Sequence, residues 1–239
     1  MRPVARRQHR RVEIVHAVGV EGARQARGLV VVIDVLRSFT VSAYALAGGA
    51  RECLLVPTVD EALALARRTP GSIICAEEDG LPVPGVAISN SPTQVRQARL
   101  HGRTLIQRSS AGTPAMAAVR SDEGMFAASL VVASATAQAC LLREPSTVTL
   151  VASADFPEDH ACAKYIDAAL RGAAVDVETL LQPLRESERY RMHMTGSWPG
   201  FPPTDIELSL AVDRLDFAMP ATRHDHYIAL RAVKPGAGP

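Results

Sequence analysis

The chain is poor in aromatic residues, which make up 4 % of its 239 positions, and its formal net charge is only +1. Few of those rings stand beside a basic residue. This argues against a single-strand nucleic-acid platform, which stacks bases on aromatic side chains in a basic groove. The small net charge gives no overall field to recruit nucleic acid or a membrane surface. With so few rings, the core must be built from Ala, Val and Leu. The four cysteines, Cys53, Cys75, Cys140 and Cys162, form no Cys-x-x-Cys pair. They therefore offer no zinc-finger or dithiol spacing. Each lies in an apolar context and reads as a small buried hydrophobe, which suits reduced thiols and a cytoplasmic location. No apolar run approaches the length of a membrane span. The basic start, Met1 to Arg11, leads into no apolar signal core, so residues 1–11 are expected to form a flexible tail.

Several enzyme signatures are also missing. There is no Gly-x-Gly-x-x-Gly, no Gly-Lys-Ser/Thr behind a glycine loop and no Gly-x-Ser-x-Gly. These absences remove the dinucleotide fingerprint, the P-loop and the nucleophile elbow. Asp34-Val35-Leu36 lacks the second acid, two residues on, that would mark an aspartyl-phosphate nucleophile.

What is present begins with Val30-Val31-Val32-Ile33-Asp34-Val35-Leu36-Arg37-Ser38. A continuous β-branched run reads as a strand buried on both faces, as in a parallel sheet covered by helices. Asp34 then falls at the carboxyl end of a strand, where open α/β sheets bind ligands. Arg37 offers a planar fork of donors for an anion, and Ser38 is placed to cap the next helix.

Strand and helix then alternate. A helix over 38–50 is stopped by Gly48-Gly49, and Cys53–Val56 is a short strand. Thr58-Val59-Asp60-Glu61 matches a capping box opening a helix through Arg68. Further strands are expected at 72–75, 104–107, 127–133 and 147–152. Helices are expected at 92–101, to about 119, at 136–143 and at 157–170. Such alternation marks βαβ units. Residues 181–203 are polar and then rich in Pro and Gly, and are expected to be helices with an exposed loop around Trp198. A helix over 205–213 and a closing strand over 226–230 complete the reading.

Polar turns follow several strands. Ala76-Glu77-Glu78-Asp79-Gly80 could hold Mg²⁺, which prefers oxygen ligands, or could be a solvated acidic turn. Ser89-Asn90-Ser91-Pro92 suits a helix cap or an anion at a helix N-terminus. Ser109-Ser110-Ala111-Gly112-Thr113 could form an anion nest of backbone N–H groups. Glu158-Asp159-His160 falls in a first helical turn, where acids favour the helix dipole. His224-Asp225-His226 has no identifiable third ligand, so a surface role is expected. Cys75 stands beside acids, which disfavour a thiolate.

Taken in order, Ile33-Asp34-Val35-Leu36-Arg37, Glu77 with its Pro-Gly loop, Asn90-Ser91-Pro92, Gly112-Thr113 and Glu158-Asp159 resemble the 2-phosphosulfolactate phosphatase family. The match runs from about Val12 to Leu230. The resemblance implies a three-layer α/β/α fold with a mainly parallel sheet. One unit is expected over 12–233, in which the recurring strand–loop–helix pattern leaves room for two similar halves, about 12–125 and 126–233, and the ends at 1–11 and 234–239 are expected to be flexible tails. The resemblance further implies a Mg²⁺-dependent phosphatase that releases phosphate from a sulfonated 2-phosphohydroxy acid, a step of coenzyme M synthesis.

On this reading Asp34, Arg37 and Glu77 are catalytic. Ser38, Asn90, Ser91, Ser110, Gly112 and Thr113 bind substrate. Asp34, Glu77, Glu158 and Asp159 are the metal candidates. The expected partner is a small anionic phosphorylated substrate, with no nucleic acid and no membrane, and there is room for a homo-oligomer. The chain departs from the family pattern at Ser38-Phe39-Thr40, at Glu78 in place of an Arg, at Ala111 in place of an Asn, and near Ala135-Thr136. Glu78 and Ala111 subtract from anion affinity and favour the alternative, a non-catalytic anion-binding or interaction protein that keeps the fold.

Overall fold

The residues of the Val-rich strand divide between two cores. Val30 and Val32 join one buried cluster, whereas Leu29, Val31 and Ile33 join another. Successive side chains of a strand point to opposite faces, so both faces of this strand are covered. Each such Val or Ile contributes about 1.5–3 kcal/mol by leaving water.

The computed structural model describes residues 12–236. In chain order it contains β1 (Glu13–Val18), α1 (Gly19–Gln25), β2 (Leu29–Ile33), α2 (Ser38–Ala47), β3 (Glu52–Leu55) and α3 (Val59–Arg68). Next come β4 (Ile73–Glu78), β5 (Leu81–Pro82), α4 (Pro92–Gln97), β6 (Thr104–Arg108), α5 (Gly112–Ala118) and β7 (Met125–Ala128). Then follow α6 (Ala133–Leu141), β8 (Thr147–Ala152), α7 (Pro157–Leu170), α8 (Val177–Glu186), α9 (Glu188–Met194), α10 (Thr204–Ser209), β9 (Met219–Arg223) and β10 (Ile228–Leu230).

The strands form one sheet in the order β1-β8-β2-β7-β9-β10-β3-β6-β4-β5. Its two flanks are parallel except for the short edge strand β5, which is antiparallel to β4: β2 lies between β7 and β8, and β6 lies between β3 and β4. The antiparallel pair β9–β10 joins the flanks by pairing with β7 on one side and β3 on the other. Helices cover both faces, giving three α/β/α layers with a mostly parallel sheet. The expected division near residue 125 does not coincide with a break in the sheet. Strands from before and after it alternate in one flank, because β8 and β7 enclose β2.

Local signals worked where they were strong. The Thr58 hydroxyl accepts from the Glu61 N–H at 3.1 Å and the Glu61 carboxylate accepts from the Thr58 N–H at 3.1 Å, a complete capping box. Several elements differ from expectation. β7 stops at Ala128 and the chain turns through a 3₁₀ segment at Leu130–Val132, because an apolar run alone does not separate a strand from a buried turn. α4 ends at Gln97, and α10 covers only Thr204–Ser209. β1 had no strand signature because it is an edge strand, paired only with β8 and partly exposed.

Residues 1–11 of the expected N-terminal tail lie outside the described residues, as do 237–239 of the C-terminal one. Within the latter, Lys234 pairs with Asp216 at 2.8 Å. Among the described residues no helix is long and apolar enough to cross a membrane. All four cysteines are free and buried.

Candidate active site

The carboxyl ends of β2, β4 and β6 open on a cavity of about 370 Å³. Asp34, Leu36 and Arg37 line it from the turn after β2, Glu77 and Asp79 from the end of β4, and Ser109, Ser110 and Ala111 from the turn after β6. This is the strand-end crevice expected of an open α/β sheet.

Asp34 is buried and uses one carboxylate oxygen to accept the Ser38 N–H at 2.9 Å. It therefore caps α2, a task expected of Ser38, which is instead the first helical residue. The Ser38 hydroxyl turns to Gln107, whose Nε2 donates to it at 3.2 Å and to Asn90 Oδ1 at 3.0 Å. Gly112 permits this closeness, since a Cβ there would stand 2.6 Å from Asp34 Oδ2.

Behind Asp34 lies Asp159, at the start of α7. It accepts the Val35 N–H at 2.8 Å and the Ser153 hydroxyl at 3.0 Å. Burial raises the Asp34 carboxyl to about 6, against the opposing Ser38 N–H and with the negative charges of Glu77 and Glu158 adding to the rise. Burial and the Asp34 charge push Asp159 well above the usual carboxylate range. Two buried acids that disfavour each other's ionisation are characteristic of functional sites.

Arg37 is buried, and its Nη1 donates to Gly200 O at 2.7 Å and to Asp205 Oδ2 at 2.8 Å. Its guanidinium carbon lies 3.9 Å from the Phe201 ring centroid. Nε and Nη2 make no hydrogen bond among the described residues, which leaves donors for an anion. Glu77 fastens two loops together: it accepts Ser110 N–H and Gly80 N–H, both at 2.6 Å, and the Ser110 hydroxyl at 3.1 Å.

The other expected site residues have different places. Asn90 lines the cavity, but Ser91 faces away, capping α4 at Gln94 and donating to Asp205 at 2.7 Å. Thr113 is locked to Ser109 by reciprocal bonds of 3.1 Å. Glu158 pairs with Arg189 Nε at 3.1 Å. Glu78 is exposed and does not line the cavity, whereas Ala111 does. The departure at 78 therefore removes nothing from the cavity wall, and a cation does reach this turn, because Arg108 Nη1 donates to the Glu77 carbonyl. The Cys75 thiol is pushed up to about 12 by burial, in line with a structural role. His224, Asp225 and His226 are exposed.

Residues 189–205 carry the part of the site that sequence reasoning missed. Their loop, expected to be exposed, folds over the cavity. Trp198 Nε1 donates to Gly80 O at 3.1 Å, Phe201 is buried, and Arg189, Met192 and His193 complete the wall. Gly200, at φ +67°, makes this docking feasible, since a Cβ there would lie 2.5 Å from Pro82 and Ser89. The available signal was the concentration of scarce aromatics, Trp198 and Phe201, in one Pro/Gly-rich stretch.

Among the described residues no group of three or more His, Cys, Asp or Glu stands ready to hold a metal. Mg²⁺ does not require one, because it keeps several waters and binds through one or two carboxylates plus a substrate phosphate. Asp34 and Glu77 face the same cavity and suit that donor set, with Asp34 the better placed since Glu77 is occupied by three donors. A cation would also relieve the crowding of negative charge that raises Asp34.

A sheet whose carboxyl ends present a buried aspartate, an arginine and small polar turns around one cavity defines an α/β/α protein with a polar site at its strand ends. Residues 16–192 match the family described as 2-phosphosulpholactate phosphatase, and the chain belongs to that family. It is 36 % identical over 148 residues to a Bacillus subtilis protein named probable 2-phosphosulfolactate phosphatase, covering 61 % of this chain and 65 % of the relative. A protein of the same name from Carboxydothermus hydrogenoformans is 36 % identical over 57 % of this chain and 58 % of its own length. One from Thermoplasma acidophilum is 30 % identical over 77 % of this chain and 81 % of its own. The first two matches thus span less than two thirds of those relatives.

Proposed function

We propose that this protein is a cytoplasmic, Mg²⁺-dependent phosphatase that hydrolyses 2-phosphosulfolactate, or a related 2-phosphohydroxy acid, to the hydroxy acid and phosphate. The observation that carries the reading is Asp34 on the cavity wall, backed by Asp159 and adjacent to Arg37. Family membership and the names of the relatives support the same substrate class.

Arg37, fixed by Asp205 and Gly200, directs its remaining donors at the phosphoryl oxygens and offsets their charge. The Ser109–Ala111 turn and Asn90 supply further polar groups on the same wall. Asp34, whose carboxyl burial raises to about 6 in the absence of a cation, would be held ionised by a bound cation and serve as its ligand. Mg²⁺ held at Asp34, with Glu77 behind it, would act as a Lewis acid on the phosphoryl group.

The test is phosphate release from 2-phosphosulfolactate and a panel of small phosphomonoesters, with Mg²⁺ or EDTA, for wild type and Asp34→Asn. Metal-dependent release that the substitution abolishes is the expected result. Stabilisation by sulfolactate or phosphate without any turnover would instead establish the anion-binding alternative, for which Ala111 on the cavity wall is the specific support.

A further inference from the structure

His193 lies in the last turn of α9 on the cavity wall, and it is buried with neither ring nitrogen hydrogen-bonded. A buried polar group without a partner forfeits its hydration with nothing in return, and such groups in native proteins call for an explanation. The imidazole is nevertheless firmly held. It stacks on Phe201 with ring centroids 4.1 Å apart and planes at 11°, and it meets Trp198 edge-on at 5.8 Å. Burial, with the charges of Arg189 and Arg37 adding, lowers its pKa to about 4. The ring is therefore neutral at physiological pH, with one nitrogen a donor and the other an acceptor. Both are unsatisfied, and both belong to a residue that faces the same space as Asp34 and Arg37.

The two ends of the cavity differ chemically. Near Arg37 and the Ser109–Ala111 turn it offers charge and backbone donors to a phosphate. The Phe201 ring spaces His193 from Arg37, since guanidinium and imidazole each lie about 4 Å from its centroid. The cations nearest the imidazole each form one ion pair, Arg37 with Asp205 and Arg189 with Glu158. Among the described residues, the buried polar side-chain atoms on this wall without a hydrogen-bond partner are the two ring nitrogens of His193.

We infer that His193 is a specificity-determining residue, whose ring N–H donates to a carboxylate or sulfonate oxygen of the substrate's organic acid portion while the phosphate lies on the Arg37 side. The inference rests on the proposed phosphatase reading and deepens it. Residue 193 lies just beyond the residues matched to the family, 16–192, so that match assigns it nothing.

The experiment compares wild type, His193→Phe and His193→Asn. Phenylalanine keeps the stack on Phe201 and removes both nitrogens, whereas asparagine restores a donor. Calorimetric binding of sulfolactate and of inorganic phosphate is measured beside the KM and kcat for 2-phosphosulfolactate. His193→Phe is expected to raise KM and weaken sulfolactate binding about tenfold to a hundredfold, the range for a hydrogen bond to a charged group. Phosphate binding should stay within about twofold, and His193→Asn should recover part of the loss. Unchanged KM and sulfolactate binding in His193→Phe would overturn the inference, and so would an equal loss of sulfolactate and phosphate binding. If wild type binds sulfolactate without hydrolysing 2-phosphosulfolactate, the phosphatase reading fails, and the His193→Phe binding result still decides this one. If wild type neither binds sulfolactate nor hydrolyses 2-phosphosulfolactate or any related 2-phosphohydroxy acid, both readings fall.

Discussion

Asp205 receives Nη1 of Arg37 at 2.8 Å, and with its other oxygen it takes the Ser91 hydroxyl at 2.7 Å and the Thr93 N–H at 3.0 Å. One buried carboxylate thereby ties the turn after β2, the start of α4 and α10 into one body. Breaking a buried ion pair from one side leaves a desolvated charge, which costs about 3–5 kcal/mol. Asp205→Ala should destabilise the protein by that amount in urea unfolding and abolish activity. Asp205→Asn, which keeps an acceptor for Arg37, should be milder on stability.

The raised pKa of Asp34 makes stability depend on pH in a defined direction. The folded state holds the Asp34 proton up to about 6, while the unfolded chain releases it near 3.8. This contribution is complete below the unfolded value and is lost as pH rises through about 6. Without Mg²⁺, Asp34→Asn should therefore be more stable than wild type at pH 7.5 by about 1–3 kcal/mol, and the gap should close by pH 4. Denaturant curves at the two pH values read this directly. A gap that widens towards pH 4 would contradict the assigned shift.

Mg²⁺ bound at Asp34 should raise the melting temperature of wild type, because a ligand that binds only the folded state stabilises it by mass action. EDTA should reverse the rise, and Asp34→Asn should not show it. A thermal melt with and without the ion, at pH 7.5, is sufficient.

Gly200→Ala places a Cβ within 2.5 Å of Pro82 and Ser89 at a residue with φ +67°. The expected outcome is a loss of about 1–3 kcal/mol, in the range for overpacking, together with weaker substrate binding, since Gly200 O also holds Arg37. KM and unfolding midpoint should move together.

Thr58→Ala serves as the contrasting case. It removes the capping box of α3, none of whose residues lines the cavity, and should cost about 1 kcal/mol of stability. Activity at a temperature well below the melting point should remain that of wild type.

Some of this was legible in the sequence because it is written in neighbouring residues. The alternation of β-branched runs with capped amphipathic stretches, the capping box at Thr58 and Glu61, and the placement of Asp34 after a buried strand all depend on spacings of a few residues. The turns holding Glu77, Asn90 and Ser110 were found for the same reason. Ser91 and Thr113 were also selected by that rule, yet their side chains hold Asp205 and Ser109, because the same small polar residues cap helices and bind anions. The loop over the cavity gave no such cue, since a Pro/Gly-rich segment has no period and its docking depends on Pro82, Ser89 and Gly80 far along the chain.

The sequence by itself determined that strands would alternate with helices, that the sheet would be buried on both faces, and that an acid and an arginine would emerge at one strand end. Only the tertiary structure decided that the turns after β2, β4 and β6 share a cavity, that Asp205 rather than a ligand neutralises part of Arg37, and that His193 joins them unpartnered. The physical reason is that periodicity and capping are settled by local hydrogen bonds and side-chain spacing, whereas convergence on a site follows from strand order and packing between residues more than a hundred positions apart.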